Sequence, residues 1–574
     1  MLILLTIFLF LFTPLAMLIL YLVRPKLSIQ GFLAVLAVLV AWPMVFLARS
    51  DIQRVITLLQ WKPESLFPIS PSLLIDNISW YFALALTSLS LTVVITSIAQ
   101  LGQSPRLDQM PVQMKIQANE GTNTLEGGNS TSKPALANEP GLTPDWILWA
   151  SILALTSFGL VAVTAGNMLT LLLAWAALDI IELIILLGQM SQSKTRERII
   201  LAFSAKMAGI VTVLMASIIL WSQGASLSFD AISQPISTYL VLAAGLRLGV
   251  LPLHLPFTQG LPIRRGLGTV LRLVPAASSY ILLVRVSNAG VSGNVTPYLL
   301  GLAILAGLYA AVNWLSAKDE LSGRPYWLLG TASLAIAAAI LNHPAACLAW
   351  SIASLLSGGL IFSMPLHHRN LIPLIALGLI NLSALPFSPT WQGTELYQYS
   401  SYFPVNLTLF SLFSFFFLLI QSFLLAGFIR HVLRGIFPVV EGSPEHIERW
   451  VWFLYPFGLI FIVLTHLLIG WWLHPNLNKI PLSGWIMGPL ALIIAGLILY
   501  IAMRYPRPFP LLSRSTKTNF WNNLLSLNWL YRLLWKLFRT LSRLVAVIST
   551  ILEGDGGILW ALVLFALIFV FLQR

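Results

Sequence analysis

The chain has 574 residues, 58% of them hydrophobic and only 9% charged, with a mean hydropathy of +0.86. Globular proteins carry charge on about a quarter of their residues, so a soluble domain is excluded and most of this chain must lie in lipid. The formal charge of +13 then reads as an orientation signal and an affinity for anionic headgroups, not as a nucleic-acid footprint, because no soluble basic domain exists to carry one.

A span needs about 20 apolar residues to cross roughly 30 Å of hydrocarbon. Sixteen such segments can be placed, near 2–23, 30–49, 75–99, 146–164, 166–190, 199–221, 236–253, 269–288, 296–315, 326–342, 345–365, 371–386, 405–430, 450–473, 483–503 and 557–573. The first lacks a basic leader and a small-residue cleavage site, and Arg24-Pro25-Lys26 follows it as a stop signal, so it reads as a retained span. Threading the spans with the N-terminus outside leaves about 24 of the 33 Lys and Arg residues on the cytoplasmic side, about 6 on the other and about 3 in the membrane, which puts both termini outside.

Residues 1–100 thus hold three spans. The polar stretch 101–145, with EGGNSTSKP at 126–134, reads as a disordered cytoplasmic loop. In the seventh span, GLRLGVLPLHLPF (245–257) sets Pro252 and Pro256 around His254, and in the twelfth, NLSALPFSPTWQG (381–393) carries Pro386 and Pro389. Each proline removes a backbone donor, so the break is tolerable only where protein or water covers it. Broken spans at matching places in two halves point to an ion path in transporters; ordinary proline kinks are the plainer alternative. The single cysteine, Cys347, excludes an intrachain disulfide, a Cys-ligated iron–sulfur cluster and a zinc knuckle. Spans fourteen and fifteen and their loops occupy 431–517, and His466 there reads as a packing residue. Within 518–556, Arg532, Lys536, Arg539 and Arg543 recur at intervals of four, three and four, as on a helix lying along a membrane surface, or on a short solvated linker. Glu553-Gly554-Asp555-Gly556-Gly557 ends it, and the last span fills 557–574.

Four stretches in order, PSLLIDNISW at 71–80, AFSAKMAG at 202–209 with SLSFDAI at 226–232, the Arg247–His254 break, and AKDELSGRPYWLLG at 317–330, make the chain resemble the antiporter-like subunits of respiratory complex I and the Mrp sodium/proton antiporters. The resemblance implies an all-α polytopic fold with two inverted five-helix repeats, over 146–290 and 291–430. It also implies partner membrane subunits in such an assembly. The sixteen-span layout with a penultimate lateral helix is most similar to the largest such subunit of complex I. That helix, about 30 residues or roughly 45 Å, is long enough to reach one neighbour.

Charges inside a bilayer are functional candidates by default. Asp179 and Glu182 in the fifth span share a helix face, at i and i+3, and can share a proton or face a cation together. Lys206, Arg247 and Arg272 lie in the sixth, seventh and eighth spans. The family implies a fifth-span glutamate paired with a seventh-span lysine. Here Ala176 follows LeuAlaTrp at 173–175 where the glutamate is expected, Asp179 stands one turn later, and Arg247 replaces the lysine. A guanidinium keeps its proton, so Arg247 can hold a carboxylate ionised and cannot relay. Asp179, Glu182, Lys206 and His254 remain as carriers, with snorkelling the alternative for Lys206 and Arg272 and backbone capping for His254. The second repeat offers only His343 at an edge, Thr394 near the family's twelfth-span charged position, and Glu395, an outer exit group or a loop residue.

No Walker motif, dinucleotide fingerprint or metal-ligand cluster is present, so no cofactor is expected in this chain and any NADH or quinone chemistry would belong to partners. Three readings stay open: a proton- or sodium-translocating subunit of a complex I-like NADH:quinone oxidoreductase or Mrp-like assembly, a degenerate scaffold paralogue in such an assembly, and a stand-alone secondary transporter.

Overall fold

The computed structural model describes residues 1–24, 29–52, 54–57, 69–101, 145–189, 193–229, 232–254, 263–364, 371–399, 407–436, 449–473 and 482–504, with a few positions beyond. Of the expected loop at 101–145, residues 102–144 lie outside the described residues, as do Pro256 and most of 518–556 and of the last span. Contacts divide the chain into two units, Met1–Phe509 and Pro510–Arg574. In the second, Lys536, Arg539 and Arg543 are exposed on helical backbone.

The first unit is built of helices: α1 Leu2–Val23, α2 Gln30–Leu47, α3 Asn77–Leu101, α4 Asp145–Val163, α5 Met168–Gln189, α6 Ser193–Ser222, α7 Gln234–Leu248, α8 Arg265–Val286, α9 Thr296–Ser316, α10 Glu320–Ile340, α11 Pro344–Phe362, α12 Ile372–Leu382, α13 Leu407–Ile436, α14 Arg449–Trp472 and α15 Leu482–Arg504. These follow the first fifteen expected spans in order. Twelve of them are long and apolar enough to cross a membrane, the exceptions being α7, α10 and α12. The chain is an all-α, multi-pass membrane protein.

α3, α8 and α11 are each 94% buried over their apolar windows, against 28% for α1 and α6 and 22% for α15. α8 shows why. Gly266, Gly268, Ala276, Ala277, Ser278 and Ser279 let neighbours approach on every side, and small residues are what helix contacts in lipid select. Six fully buried tryptophans tie helices together through their indole N–H. Trp80 donates to Val45 O (2.8 Å), Trp175 to Ser278 O (3.3 Å) and Trp314 to Leu424 O (3.2 Å). Trp327 donates to Ser354 O (3.1 Å), Trp350 to Gly393 O (3.1 Å) and Trp391 to Gly484 O (2.9 Å). An indole donor left unpaired in lipid is costly, so these bonds fix helix register where burial of apolar surface alone would not.

One end of the bundle carries a small β cap. β1 (Arg54–Thr57) pairs antiparallel with β2 (Ser72–Ile75), so the third expected span begins at Asn77, after a strand. Leu74 N–H donates to Thr164 O and Gly166 N–H to Ser72 O, while Met168 N–H donates to Leu227 O. The stretches at 71–80 and 226–232 thus meet across residues 164–168. Asp76 closes the cap, its Oδ1 accepting from Ser79 N–H at 2.7 Å at the start of α3, and Arg285 stands 3.8 Å from the same carboxylate.

α7, with 15 residues, and α12, with 11, cover only about 22 Å and 16 Å of a core roughly 30 Å thick. α7 stops because Gly249 adopts the left-handed conformation at φ 80°, a C-terminal cap glycine meets freely. After α12 the chain runs through Ala384 (φ 56°) and Phe387 (φ 66°) to a 3₁₀ turn at Trp391–Tyr397. Non-glycine residues at positive φ are strained and persist only where surroundings over-determine them. Here Thr390 Oγ1 donates to Asn381 O, satisfying a carbonyl in the last turn of α12, and Gln392 Nε2 donates to Leu473 O at the end of α14.

Candidate functional site

Asp179 and Glu182 lie on the inner face of α5, 1% and 9% exposed. The structure sets a different cationic side chain against each. Arg247, in the last turn of α7, grips Asp179 with both nitrogens, Nη1 to Oδ2 at 2.5 Å and Nη2 to Oδ1 at 2.8 Å. Its guanidinium also lies over the Trp175 ring, 4.2 Å from the centroid. Lys206 of α6 donates to Glu182 Oε2. At 3% exposure Lys206 is paired in the interior and does not snorkel.

Three local features build this arrangement. The i, i+3 spacing puts both carboxylates toward α6 and α7. The C-terminal end of α7 favours a cation, which is where Arg247 sits. Gly209, one turn beyond Lys206, leaves room for Arg247 to cross, since a Cβ there would meet Arg247 Cγ at 2.6 Å and Ala243 O at 3.0 Å. A buried pair of this kind costs several kcal/mol in desolvation that its hydrogen bonds must offset, and removing one partner costs about 3–5 kcal/mol.

His254, 3% exposed, follows the break at Pro252. Its Nδ1 lies 2.8 Å from Pro252 O, and because a carbonyl only accepts, Nδ1 carries the proton. Nε2 is buried with no hydrogen-bond partner among the described residues. The ring therefore satisfies one backbone group at the break. Arg272 donates from Nη1 to Gly268 O at 3.2 Å and lies within electrostatic reach of Glu182.

α9–α13 are built differently. α10 and α11 carry no charge beyond Arg324, and their polar groups form a neutral cluster: Tyr280 Oη to Ser354 Oγ at 2.9 Å and Ser354 Oγ to Thr331 Oγ1 at 2.7 Å. His343 stands at the N-cap of α11 and Thr394 donates to Trp391 O at 2.7 Å. Glu395, on the 3₁₀ turn, is half-buried with no side-chain partner among the described residues. Pro389 packs against Gly470 of α14, and Pro386 lies between the two positive-φ residues. His466 is buried in α14, at 3% exposure.

A second charged cluster escaped the sequence reading. Arg265 Nη2 binds Glu320 Oε1 at 2.7 Å, and Arg324, 3% exposed, donates from Nη2 to Arg265 O at 3.2 Å. The expected tenth span began at 326, whereas α10 begins at Glu320, which moves both residues from a loop into the helix. Their i, i+4 spacing inside the 317–330 stretch was the available signal.

With this geometry in view, the chain shares its fold with chains of three multi-subunit membrane complexes. It superposes on a chain of the Mrp complex from Dietzia sp. DQ12-45-1b with a TM-score of 0.65 and 12% identity, over 100% of this chain and 63% of that one. It superposes on a chain of the membrane-bound sulfane sulfur reductase, an archaeal respiratory membrane complex, with a TM-score of 0.59 and 13% identity, over 99% of both chains. A chain of respiratory complex I from Thermus thermophilus gives 0.55 at 14% identity, over 82% of this chain and 98% of that one. The chain therefore spans just under two thirds of the Mrp chain it matches. No protein-family model matches the sequence, and no curated protein matches it.

Proposed function

We propose that this chain moves protons or sodium ions as an antiporter-like subunit of a multi-subunit assembly of the complex I or Mrp kind, driven by a reaction its partner subunits carry out. The assembly would sit in the inner or plasma membrane, with both termini on the extracytoplasmic side and two inverted repeats over 146–290 and 291–430. The observation that carries the reading is the pair of buried ion pairs, Asp179–Arg247 and Glu182–Lys206, set side by side across α5, α6 and α7.

The two pairs have different chemistry. Arg247 holds its proton at any accessible pH, so Asp179–Arg247 is a fixed electrostatic anchor. Lys206 and Glu182 can each exchange a proton when their partner moves or neutralises, so this pair is the titrating element. His254, whose Nε2 has no hydrogen-bond partner among the described residues, is the group at the break able to pick up or deliver a proton.

Proton flux into inverted membrane vesicles carrying the intact assembly tests this. Glu182→Gln should abolish flux at matched assembly; unchanged flux would leave the chain a scaffold. That second reading is favoured by one observation, the absence of charge along α10 and α11 past Arg324.

A further inference from the structure

Where α8 and α10 begin and α11 ends, Arg265 and Arg324 meet. Arg265 takes the Glu320 carboxylate at 2.7 Å and also donates to Met364 O at 3.0 Å. Among the described residues no carboxylate lies in hydrogen-bond range of Arg324. Its Nη2 donates to the Arg265 carbonyl, its Nη1 lies against Gly268, and the Phe362 ring stands 5.7 Å away. Its Nε is buried without an acceptor. Arg265, Arg272, Glu320 and Asp319 are its charged neighbours, and Asp319 is committed to capping α10 through Ser322 N–H at 2.6 Å. The N-terminal ends of both α8 and α10 add positive potential.

A buried guanidinium is tolerated when an anion compensates it, and Arg is the side chain whose fork matches phosphate oxygens. We propose that Arg324, with Arg265 beside it, forms an anion site that takes a phosphate group, either free phosphate or the headgroup of an anionic phospholipid. Gly268 makes room for the Arg324 guanidinium itself, because a Cβ there would stand 2.4 Å from Nη1. Arg272 is a charged neighbour of both Arg324 and Glu182, while Arg265 and Arg324 make no contact with the Asp179–Arg247 or Glu182–Lys206 pairs.

The test uses the full chain in its assembly, purified in detergent, with inorganic phosphate titrated against gluconate at constant ionic strength and the thermal midpoint read by tryptophan fluorescence. Free phosphate as ligand predicts a saturable rise in midpoint that Arg324→Gln removes and that Glu320→Gln shifts to about threefold lower phosphate. A lipid headgroup as ligand predicts no phosphate response, with an anionic phospholipid retained in native mass spectra of the wild type and lost from Arg324→Gln. If Arg324→Gln fails to accumulate, Glu320→Gln decides: tighter phosphate or lipid retention supports the site, and no change overturns it. A wild type that retains neither ligand, with Arg324→Gln melting higher in every buffer, also overturns it.

Discussion

Gly209 of α6 lies directly against the side chain of Arg247, so close that a methyl group on it would stand 2.6 Å from Arg247 Cγ and 3.1 Å from Cδ. The guanidinium reaches Asp179 only because nothing occupies that space. Gly209→Ala should therefore push Arg247 aside and lower the unfolding free energy by roughly 1–3 kcal/mol. Thermal unfolding of the purified chain in detergent measures this, and an unchanged midpoint would mean that α6 and α7 part without cost.

The Asp179–Arg247 pair gives a second expectation. Asp179→Leu alone strands a buried guanidinium and should cost about 3–5 kcal/mol, whereas Asp179→Leu combined with Arg247→Met should recover most of it. A double-mutant cycle in mixed micelles supplies the number. Additive losses would show that the two groups are not coupled.

Lys206 separates charge from titration. Lys206→Arg can keep a cation against Glu182 but cannot release its proton, so flux should fall at least about tenfold with the assembly intact. Lys206→Met should lose flux as well. Full activity in the Arg variant would make Lys206 a counterion only.

Ser354 bonds both the Tyr280 hydroxyl and Thr331 at the contact of α8, α10 and α11. Ser354→Ala leaves the Tyr280 hydroxyl short of a partner and should destabilise by roughly 1–3 kcal/mol, with Tyr280→Phe in the same background restoring part of the loss. Flux should stay the same in both variants, because this cluster carries no charge.

Much of the fold was legible because lipid demands long apolar runs, and such runs announce themselves in hydropathy. Helix ends were less so where a helix begins with buried polar residues: α10 starts six residues before its expected span, so Glu320 and Arg324 were read as loop. The shared face of Asp179 and Glu182 follows from spacing alone, but their partners do not. That choice depends on how α6 and α7 cross α5, which is set by Gly209 and by the Gly249 cap. The stretches at 71–80 and 226–232 carry the family resemblance in the sequence, and in the structure Ser72, Leu74 and Leu227 of them meet across 164–168 in the β cap. Pairing between residues so far apart in sequence leaves no local trace.

The indole bonds make the bundle unevenly stiff. Four of the six bind elements from α9 onward, at 2.9–3.2 Å, while the helices that carry the ion pairs have only Trp175, whose 3.3 Å bond to Ser278 is the longest. The Trp175 ring is also the surface on which Arg247 rests. Trp175 thus joins two roles in one side chain: it ties α5 to α8 and floors the Asp179–Arg247 pair, so a displacement of Arg247 bears directly on a helix-to-helix bond.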